Sequence, residues 1–267
     1  MSALTFDRRC AEIVEQTGQL LSHLDGVGMT APVPSCPGWT AGNLVRHLTG
    51  ALSWTRTIIT TRAAEPVPHD VVDDVAVRPD EDPAALAAGL TEAAERLAEA
   101  LRAAGPDAAL WTVAPDGTAG FWARRMTHEA AVHRADAALA AGVPYTLDDA
   151  VALDALDEWM TFAAFPEVYE PRPGTPDLLG PGRTLHFHAT GPAGETVEEW
   201  PIDLTGDAPV RRHTPGPGEA AVTVRGTPSA LLLLVYRRPV PEGSVEVAGD
   251  TALLDLWRKR AGFWLEE

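Results

Sequence analysis

The chain has 267 residues, of which 45% are hydrophobic and 22% are charged, and its formal net charge is −17. This composition is typical of a folded protein, and so acidic a chain disfavours nucleic acid as a partner, since it repels phosphates. Cys10 and Cys36 are too few for a disulfide scaffold. The longest strongly apolar run, residues 230–235, is far too short to cross a bilayer, and the N-terminal residues lack the apolar core of a signal peptide. We therefore expect a cytoplasmic protein without a membrane partner.

The first half of the chain contains four segments in which apolar residues recur with helical spacing. They cover approximately residues 6–24, 40–58, 83–104 and 120–141. Thr40 is a suitable N-cap for the second segment, Pro83 lies in the first turn of the third, and Gly142 stops the fourth. Residues 63–82 form a long connection. This pattern predicts a four-helix bundle with one long crossover.

The composition changes in the second half. A fifth helix is predicted near residues 147–164, and the stretch 166–183, rich in proline and glycine, reads as a linker. The predicted domains are therefore residues 1–165 and residues 184–267. Beyond the linker, alternating strand patterns cover residues 184–189, 199–204, 221–225 and 244–247, with helices predicted at 228–236 and 250–264. We expect an α+β protein, in which a helical bundle precedes a small domain with an antiparallel sheet.

The fourth predicted helix carries the most informative polar residues. Glu129 and His133 are four residues apart, a rotation of about 400°, so the two side chains lie on one face. Met126 and Val132 flank that face, which therefore points toward the bundle core, where an unpaired charge is costly. His128 projects about 100° away and is not expected to join the same site.

His47 lies on the apolar stripe of the second helix and offers a third donor. Alone it is also compatible with a hydrogen-bonded core histidine, and Glu129 with His133 is compatible with a simple contact between helices. Together, two histidines and a carboxylate from facing helices form a three-ligand set with open positions, of the kind that binds zinc in helical bundles. We therefore predict a divalent metal, with zinc as first choice, and keep the metal-free alternative open.

The remaining polar residues are less specific. Asp136, one further turn along the same face, could orient a ligand or could be an ordinary capping residue. Cys36 could be reactive or inert, and His186 and His188 are expected to be ordinary surface residues. The sequence contains no glycine-rich phosphate loop and no G-x-S-x-G, C-x-x-C or H-E-x-x-H motif, so no competing catalytic set is apparent.

Three segments resemble a known family, the mycothiol-dependent maleylpyruvate isomerases of actinobacteria, with a DinB-like N-terminal domain. The first is VPSCPGWT at 33–40 followed by LVRHL at 44–48, and the second is RRMTHEAAVHRAD at 124–136. The third is looser: VRGTPS at 224–229, RRP at 237–239 and VAGD at 247–250. Together they span nearly the whole chain.

The resemblance implies a metal at His47, Glu129 and His133 and a C-terminal α/β domain similar to sterol-carrier folds. In the characterised isomerases, the metal binds the thiol of mycothiol, which adds to the unsaturated substrate and is later eliminated. The resemblance also implies that an arginine of the C-terminal domain assists, and Arg237 is the candidate for this catalytic role.

We accordingly expect a zinc-dependent enzyme that uses a low-molecular-weight thiol, with mycothiol as cosubstrate. Its reaction would be isomerisation of a maleylpyruvate-type unsaturated acid or transfer of the thiol sulfur to a small electrophile. The alternatives are a non-catalytic, metal-stabilised protein that binds a small ligand, a tailoring enzyme for natural products on the same scaffold, and a metal-free structural module. The expected partners are a small substrate and a thiol, and the chain would be a monomer or a dimer.

Overall fold

A computed structural model describes residues 4–68, 78, 80–114, 117–211 and 220–262. The chain divides into two compact units, Met1–Thr146 and Leu147–Glu267. No helix within the described ranges is long and apolar enough to cross a membrane.

The first unit is built on four long helices. They are α1 (Phe6–His23), α2 (Ala41–Thr61), α3 (Pro83–Ala104) and α4 (Ala119–Ala141). The predicted bundle is confirmed: leucine, alanine and isoleucine side chains from all four helices form one buried core. Part of the predicted connection 63–82, residues 69–77 and 79, lies outside the described residues.

The predicted ends of these helices are also confirmed. The Thr40 side chain accepts a hydrogen bond from the backbone N–H of Asn43, and the Asn43 side chain accepts one from the backbone N–H of Thr40, which is a reciprocal capping box. Pro83 opens α3, and Gly142 ends α4 with a φ of 67°, a left-handed conformation that glycine adopts without steric cost.

The described residues of the second unit form four helices and a five-stranded sheet. The helices are α5 (Asp149–Phe162), α6 (Pro166–Tyr169), α7 (Pro228–Val235) and α8 (Thr251–Ala261). The strands are β1 (Thr184–Thr190), β2 (Thr196–Asp203), β3 (Val210–Arg211), β4 (Val222–Gly226) and β5 (Val245–Gly249), in the spatial order β3-β2-β1-β4-β5. Alternate residues of β1 and β4 are buried, and the Phe187 ring lies 5.1 Å from Trp257 of α8, so one face of the sheet packs on helices.

The α+β fold class is confirmed, but the expectation of an antiparallel sheet is wrong for one strand pair. Strand β4 pairs with β1 in parallel, whereas the other three pairs are antiparallel. The alternation of residues that predicted these strands is the same in both arrangements and therefore did not distinguish them. Strand β3, with two residues, is too short to show any alternation.

The division of the chain differs from the predicted linker at 166–183. Helix α5 belongs to the second unit, where it packs on α7 and places Trp159 4.6 Å from Tyr236. The proline-rich stretch is itself partly packed, since it contains α6 and the buried residues Val168 and Leu178. Local composition reports turns, whereas unit membership depends on contacts between distant segments.

Candidate metal centre

Three polar side chains from α2 and α4 converge inside the bundle. Nε2 of His47 lies 3.3 Å from Oε1 of Glu129, and Nε2 of His133 lies 3.1 Å from the same oxygen. One donor atom from each residue falls within 4.8 Å of the other two. Tetrahedral zinc with ordinary bond lengths holds its ligand atoms about 3.4 Å apart, so the three donors can surround one ion after small rotations.

Helical geometry accounts for this convergence. The four-residue spacing places Glu129 and His133 on one side of α4, and α2 packs against α4 and brings His47 to the same point. His128, as expected, is not part of this donor group, although its side chain is completely buried. The positions that helical spacing assigned to Glu129, His133 and His128 agree with this geometry. The role of His47, Glu129 and His133 as metal ligands stays a prediction.

The His133 ring is held by a second carboxylate. Its Nδ1 lies 2.8 Å from Oδ2 of the fully buried Asp136. Asp136 is therefore placed to orient His133, which is one of the two roles that the sequence left open for this aspartate. Asp136 also accepts a hydrogen bond of 2.6 Å from the Ser35 hydroxyl and lies 3.5 Å from Sγ of Cys36. A proton on Nδ1 can thus be donated to Asp136, which directs the lone pair of Nε2 into the site.

The other oxygen of Glu129 is held by an arginine that the sequence analysis missed. Arg125, one turn earlier on α4, donates from Nη2 to Oε2 over 2.6 Å, and its side chain is only 8% exposed. This contact fixes the carboxylate so that Oε1 faces the two imidazoles. The i, i+4 spacing of Arg125 and Glu129 was the available signal.

Burial and hydrogen bonding have opposite effects on the pKa of Glu129 and on that of His133, and in both residues the hydrogen bonds and nearby charges outweigh burial. Burial alone would raise the pKa of Glu129, but hydrogen bonds from His133 and His47 hold it well below its ordinary value. Burial alone would lower the pKa of His133, but its contacts with Asp136 and Glu129 raise that pKa to about 9. In the absence of a metal, a protonated His133 satisfies both carboxylates.

An aromatic ring forms one wall of the site. The Trp39 ring centroid lies 4.8 Å from that of His47 and 6.1 Å from that of His133, with which it is stacked. Trp39 belongs to the loop before α2, whose backbone is held by a hydrogen bond from the N–H of Val33 to the carbonyl of Trp39. The loop therefore supplies both the aromatic wall and the Ser35 and Cys36 contacts to Asp136.

Arg237, the predicted assisting residue, lies in the second unit just after α7. Its Nη2 donates to the carbonyls of Lys259 and Gly262, over 2.8 and 3.0 Å, at the end of α8. Its φ of 60° is in the left-handed region. These contacts give Arg237 a role in holding α8, and its catalytic role stays a prediction.

Two family profiles match the chain. The one described as the mycothiol maleylpyruvate isomerase N-terminal domain matches residues 10–138, and the one described as the MDMPI C-terminal domain matches residues 150–256. No curated protein matches the sequence.

Solved structures with the same fold include the mycothiol-dependent maleylpyruvate isomerase, at 19% identity and a TM-score of 0.58, covering 93% of this chain and 96% of that one. A histidine-to-alanine variant of that isomerase matches at 17% identity and a TM-score of 0.53, covering 87% and 90%. Sterol Carrier Protein 2 from Yarrowia lipolytica, in its apo form, matches at 16% identity and a TM-score of 0.30, covering 42% of this chain and 97% of that one.

Proposed function

Since the chain belongs to the mycothiol-dependent maleylpyruvate isomerase family, we propose that it is a zinc-dependent enzyme that uses a low-molecular-weight thiol, mycothiol, as cosubstrate. The observation that carries this proposal is the convergence of His47, Glu129 and His133 on one point, with His133 oriented by Asp136. Three protein ligands leave a fourth position open, which is the arrangement of catalytic rather than structural zinc sites.

The residues around this point have separate tasks. His47 and His133 would supply neutral nitrogen donors, and Glu129 would supply one negative charge, which Arg125 orients through Oε2. Zinc bound there would lower the pKa of a thiol at the open position, so that the sulfur is a nucleophile at neutral pH. The Trp39 ring, which lies close to His47 and stacks with His133, would limit the access of water to that position.

We propose isomerisation of a small unsaturated acid of the maleylpyruvate type as the reaction, because the profile of the N-terminal domain and two solved structures of similar fold carry that name. Addition of the thiolate converts the double bond of the acid to a rotatable single bond, and elimination of the same thiol restores it with the other geometry. Transfer of the sulfur to a small electrophile would use the same nucleophile and is the second candidate reaction.

The proposal is tested by measuring mycothiol binding and turnover on the same preparations. Calorimetry is expected to detect mycothiol binding to zinc-loaded protein and much weaker binding to metal-free protein. Zinc-loaded protein is then expected to convert maleylpyruvate only when the thiol is present. Consumption of thiol with a general electrophile but not with maleylpyruvate would favour the transferase, and thiol or substrate binding without either reaction would favour a binding protein.

Two variants make this test specific. Glu129→Gln keeps the side-chain volume but removes the negative donor, so it is expected to weaken zinc binding and with it mycothiol binding. His128→Ala is the control, because His128 is on the same helix but outside the donor group. Equal loss of zinc in both variants would contradict the assigned ligands.

Arg237 requires its own comparison. If it assists the reaction, Arg237→Lys is expected to lower turnover while zinc content and mycothiol affinity stay unchanged. If its contacts with the end of α8 are its whole contribution, the variant unfolds more easily and the folded fraction retains full turnover.

A further inference from the structure

A second group of metal-ligand side chains lies on the sheet of the second unit. It consists of His186 and His188 of β1 and Glu199 of β2, whose donor atoms fall within 4.8 Å of one another. We propose that these three residues bind a second divalent transition-metal ion of the zinc type. The proposal does not depend on the function proposed above, because the two donor groups share no residue.

The strand pairing builds this group directly. His186 and His188 are two residues apart on β1, so their side chains project from the same face of the sheet. Glu199 on β2 is the antiparallel partner of His188, which places its carboxylate next to both rings. Leu185 and Phe187, which alternate with the histidines, are buried on the opposite face and fix the register.

The distances match a shared ion. Oε2 of Glu199 lies 3.1 Å from Nε2 of His186 and 3.7 Å from Nδ1 of His188. These values bracket the separation of about 3.4 Å between two ligands of tetrahedral zinc. The two imidazole centroids are only 3.8 Å apart, with their planes tilted by 39°.

A simple ion pair does not account for the whole arrangement. It explains the contact of His186 with Glu199, but 3.7 Å is too long for a hydrogen bond from His188. Nδ1 of His188 is buried and has no hydrogen-bond partner among the residues that the structure describes. A buried polar atom without a partner is costly, and a cation between the rings and the carboxylate would satisfy it.

The donor types select the class of ion. Two imidazoles with one carboxylate favour zinc, cobalt, nickel or copper over magnesium and calcium, which prefer oxygen ligands. One neighbour opposes binding: Arg225 of β4 is the partner of His188 in the sheet, although Glu246 of β5 is in turn the partner of Arg225 and offsets its charge. We therefore expect weaker binding here than at His47, Glu129 and His133.

The test is zinc stoichiometry by equilibrium dialysis and elemental analysis on the full chain. We expect about two zinc ions per wild-type chain, and the loss of the weaker one in His188→Ala and in Glu199→Gln. Glu198→Gln is the matched control, because Glu198 is the adjacent strand residue, is exposed and belongs to no donor group. It is expected to retain both ions.

Each other result has a defined meaning. Unchanged stoichiometry in His188→Ala and Glu199→Gln overturns the second site, whatever the wild-type value. A single ion that is lost in His47→Ala but kept in His188→Ala overturns the second site and leaves the first intact. A single ion that is lost in His188→Ala but kept in His47→Ala supports the second site and removes the first.

A measurement on unmodified protein covers the case in which a variant fails to fold. Diethyl pyrocarbonate modifies accessible imidazole nitrogens, and peptide mass spectrometry reads each histidine separately. Added zinc is expected to slow the modification of His186 and His188 several-fold, while His23 of α1, outside both donor groups, reacts as before. Equal rates at His186 and His188 with and without zinc overturn the proposal.

Discussion

At the scale of single residues, His133 is the group on which the first site depends. Its Nδ1 faces Asp136 and its Nε2 faces Glu129, so each ring nitrogen has a carboxylate partner. A proton on each nitrogen satisfies this arrangement in metal-free protein, which is why the pKa of His133 is raised to about 9. A metal at Nε2 replaces one of those protons and leaves the bond from Nδ1 to Asp136 in place.

The raised pKa gives the first residue-scale prediction. Because His133 is protonated in the metal-free protein below pH about 9, zinc binding at pH 7 must release a proton. The apparent zinc affinity is therefore expected to rise with pH, by up to about tenfold per unit, and to level off above pH 9. Calorimetry in buffers of different ionisation enthalpy measures the released proton, and a pH-independent affinity would contradict this assignment.

The same pKa predicts how the metal-free protein depends on pH. The folded pKa of His133 is raised above its ordinary value of 6.5, so protonation stabilises the fold fully below that pH. This stabilisation is expected to decline as the pH rises through about 9. Urea unfolding of metal-free protein between pH 6 and 10 measures this decline. Saturating zinc is expected to cancel it, because the rise in zinc affinity with pH offsets the stability that the metal-free protein loses.

Asp136 is the residue for a second prediction at this scale. Asp136→Asn keeps the size of the side chain but removes its charge, and is expected to weaken zinc binding about 10- to 100-fold, as the loss of such an orienting partner typically does. Competition with a chromophoric chelator measures the affinity. Asp107→Asn, an exposed aspartate of the same unit, is the control, and equal affinities in the two variants would show that Asp136 does not act through His133.

Contacts within one helix could be predicted from the sequence, as could the meeting of His47 with Glu129 and His133, because all three lie on inward faces of amphipathic helices. Contacts that depend on a loop or on strand register could not. The spacing of Glu129 and His133 follows from helical periodicity alone. The bond from Ser35 to Asp136 joins residues 101 positions apart, and no local pattern indicates it. Likewise, His186 and His188 read as surface residues until the register of β1 with β2 places Glu199 beside them.

At the scale of elements, helix termini were more predictable than strand pairing. A cap is local: Thr40, Pro83 and Gly142 each act within one turn of the helix that they begin or end. The pairing of β4 with β1 depends instead on where the chain returns after β2 and β3, which strand alternation does not encode. Hence four of the five strands were found, but one of the pair directions was wrong.

Replacing either of two helix glycines by alanine is expected to change the free energy of unfolding, but in opposite directions. Gly142→Ala forces a Cβ into a left-handed conformation, with φ at 67°, and is expected to reduce the free energy of unfolding by about 1 kcal/mol. Gly89 lies inside α3, where an added Cβ meets no atom within 4 Å, so Gly89→Ala is expected to raise it by about 0.5–1 kcal/mol. Urea denaturation of both variants measures these changes, and a common sign would contradict the backbone assignment at Gly142.

At the scale of the whole molecule, the two units are defined by packing rather than by composition. The stretch 166–183 has the proline and glycine content of a linker, yet α5, which precedes it, belongs to the second unit. Nine of the fourteen residues of α5 are buried, among them Trp159, beside Tyr236. A helix so extensively covered needs its neighbours, and the sequence alone does not show which neighbours those are.

Two fragments distinguish the predicted boundary from the one in the structure. Residues 1–146 contain all four bundle helices together with His47, Glu129, His133 and Asp136, so this fragment is expected to fold and to bind zinc as tightly as the full chain. Residues 1–165 add α5 without α7, on which it packs, and so leave its apolar side chains exposed to water. This longer fragment is expected to bind a hydrophobic dye and to self-associate, whereas the shorter one stays monomeric in analytical ultracentrifugation.

If residues 1–165 instead bind less dye and self-associate less than residues 1–146, then α5 belongs with the bundle and the boundary at 166–183 is the correct one. Zinc content, measured on both, separates a misplaced boundary from a misassigned site, because a well-folded fragment without zinc affinity would reject the ligands and not the boundary.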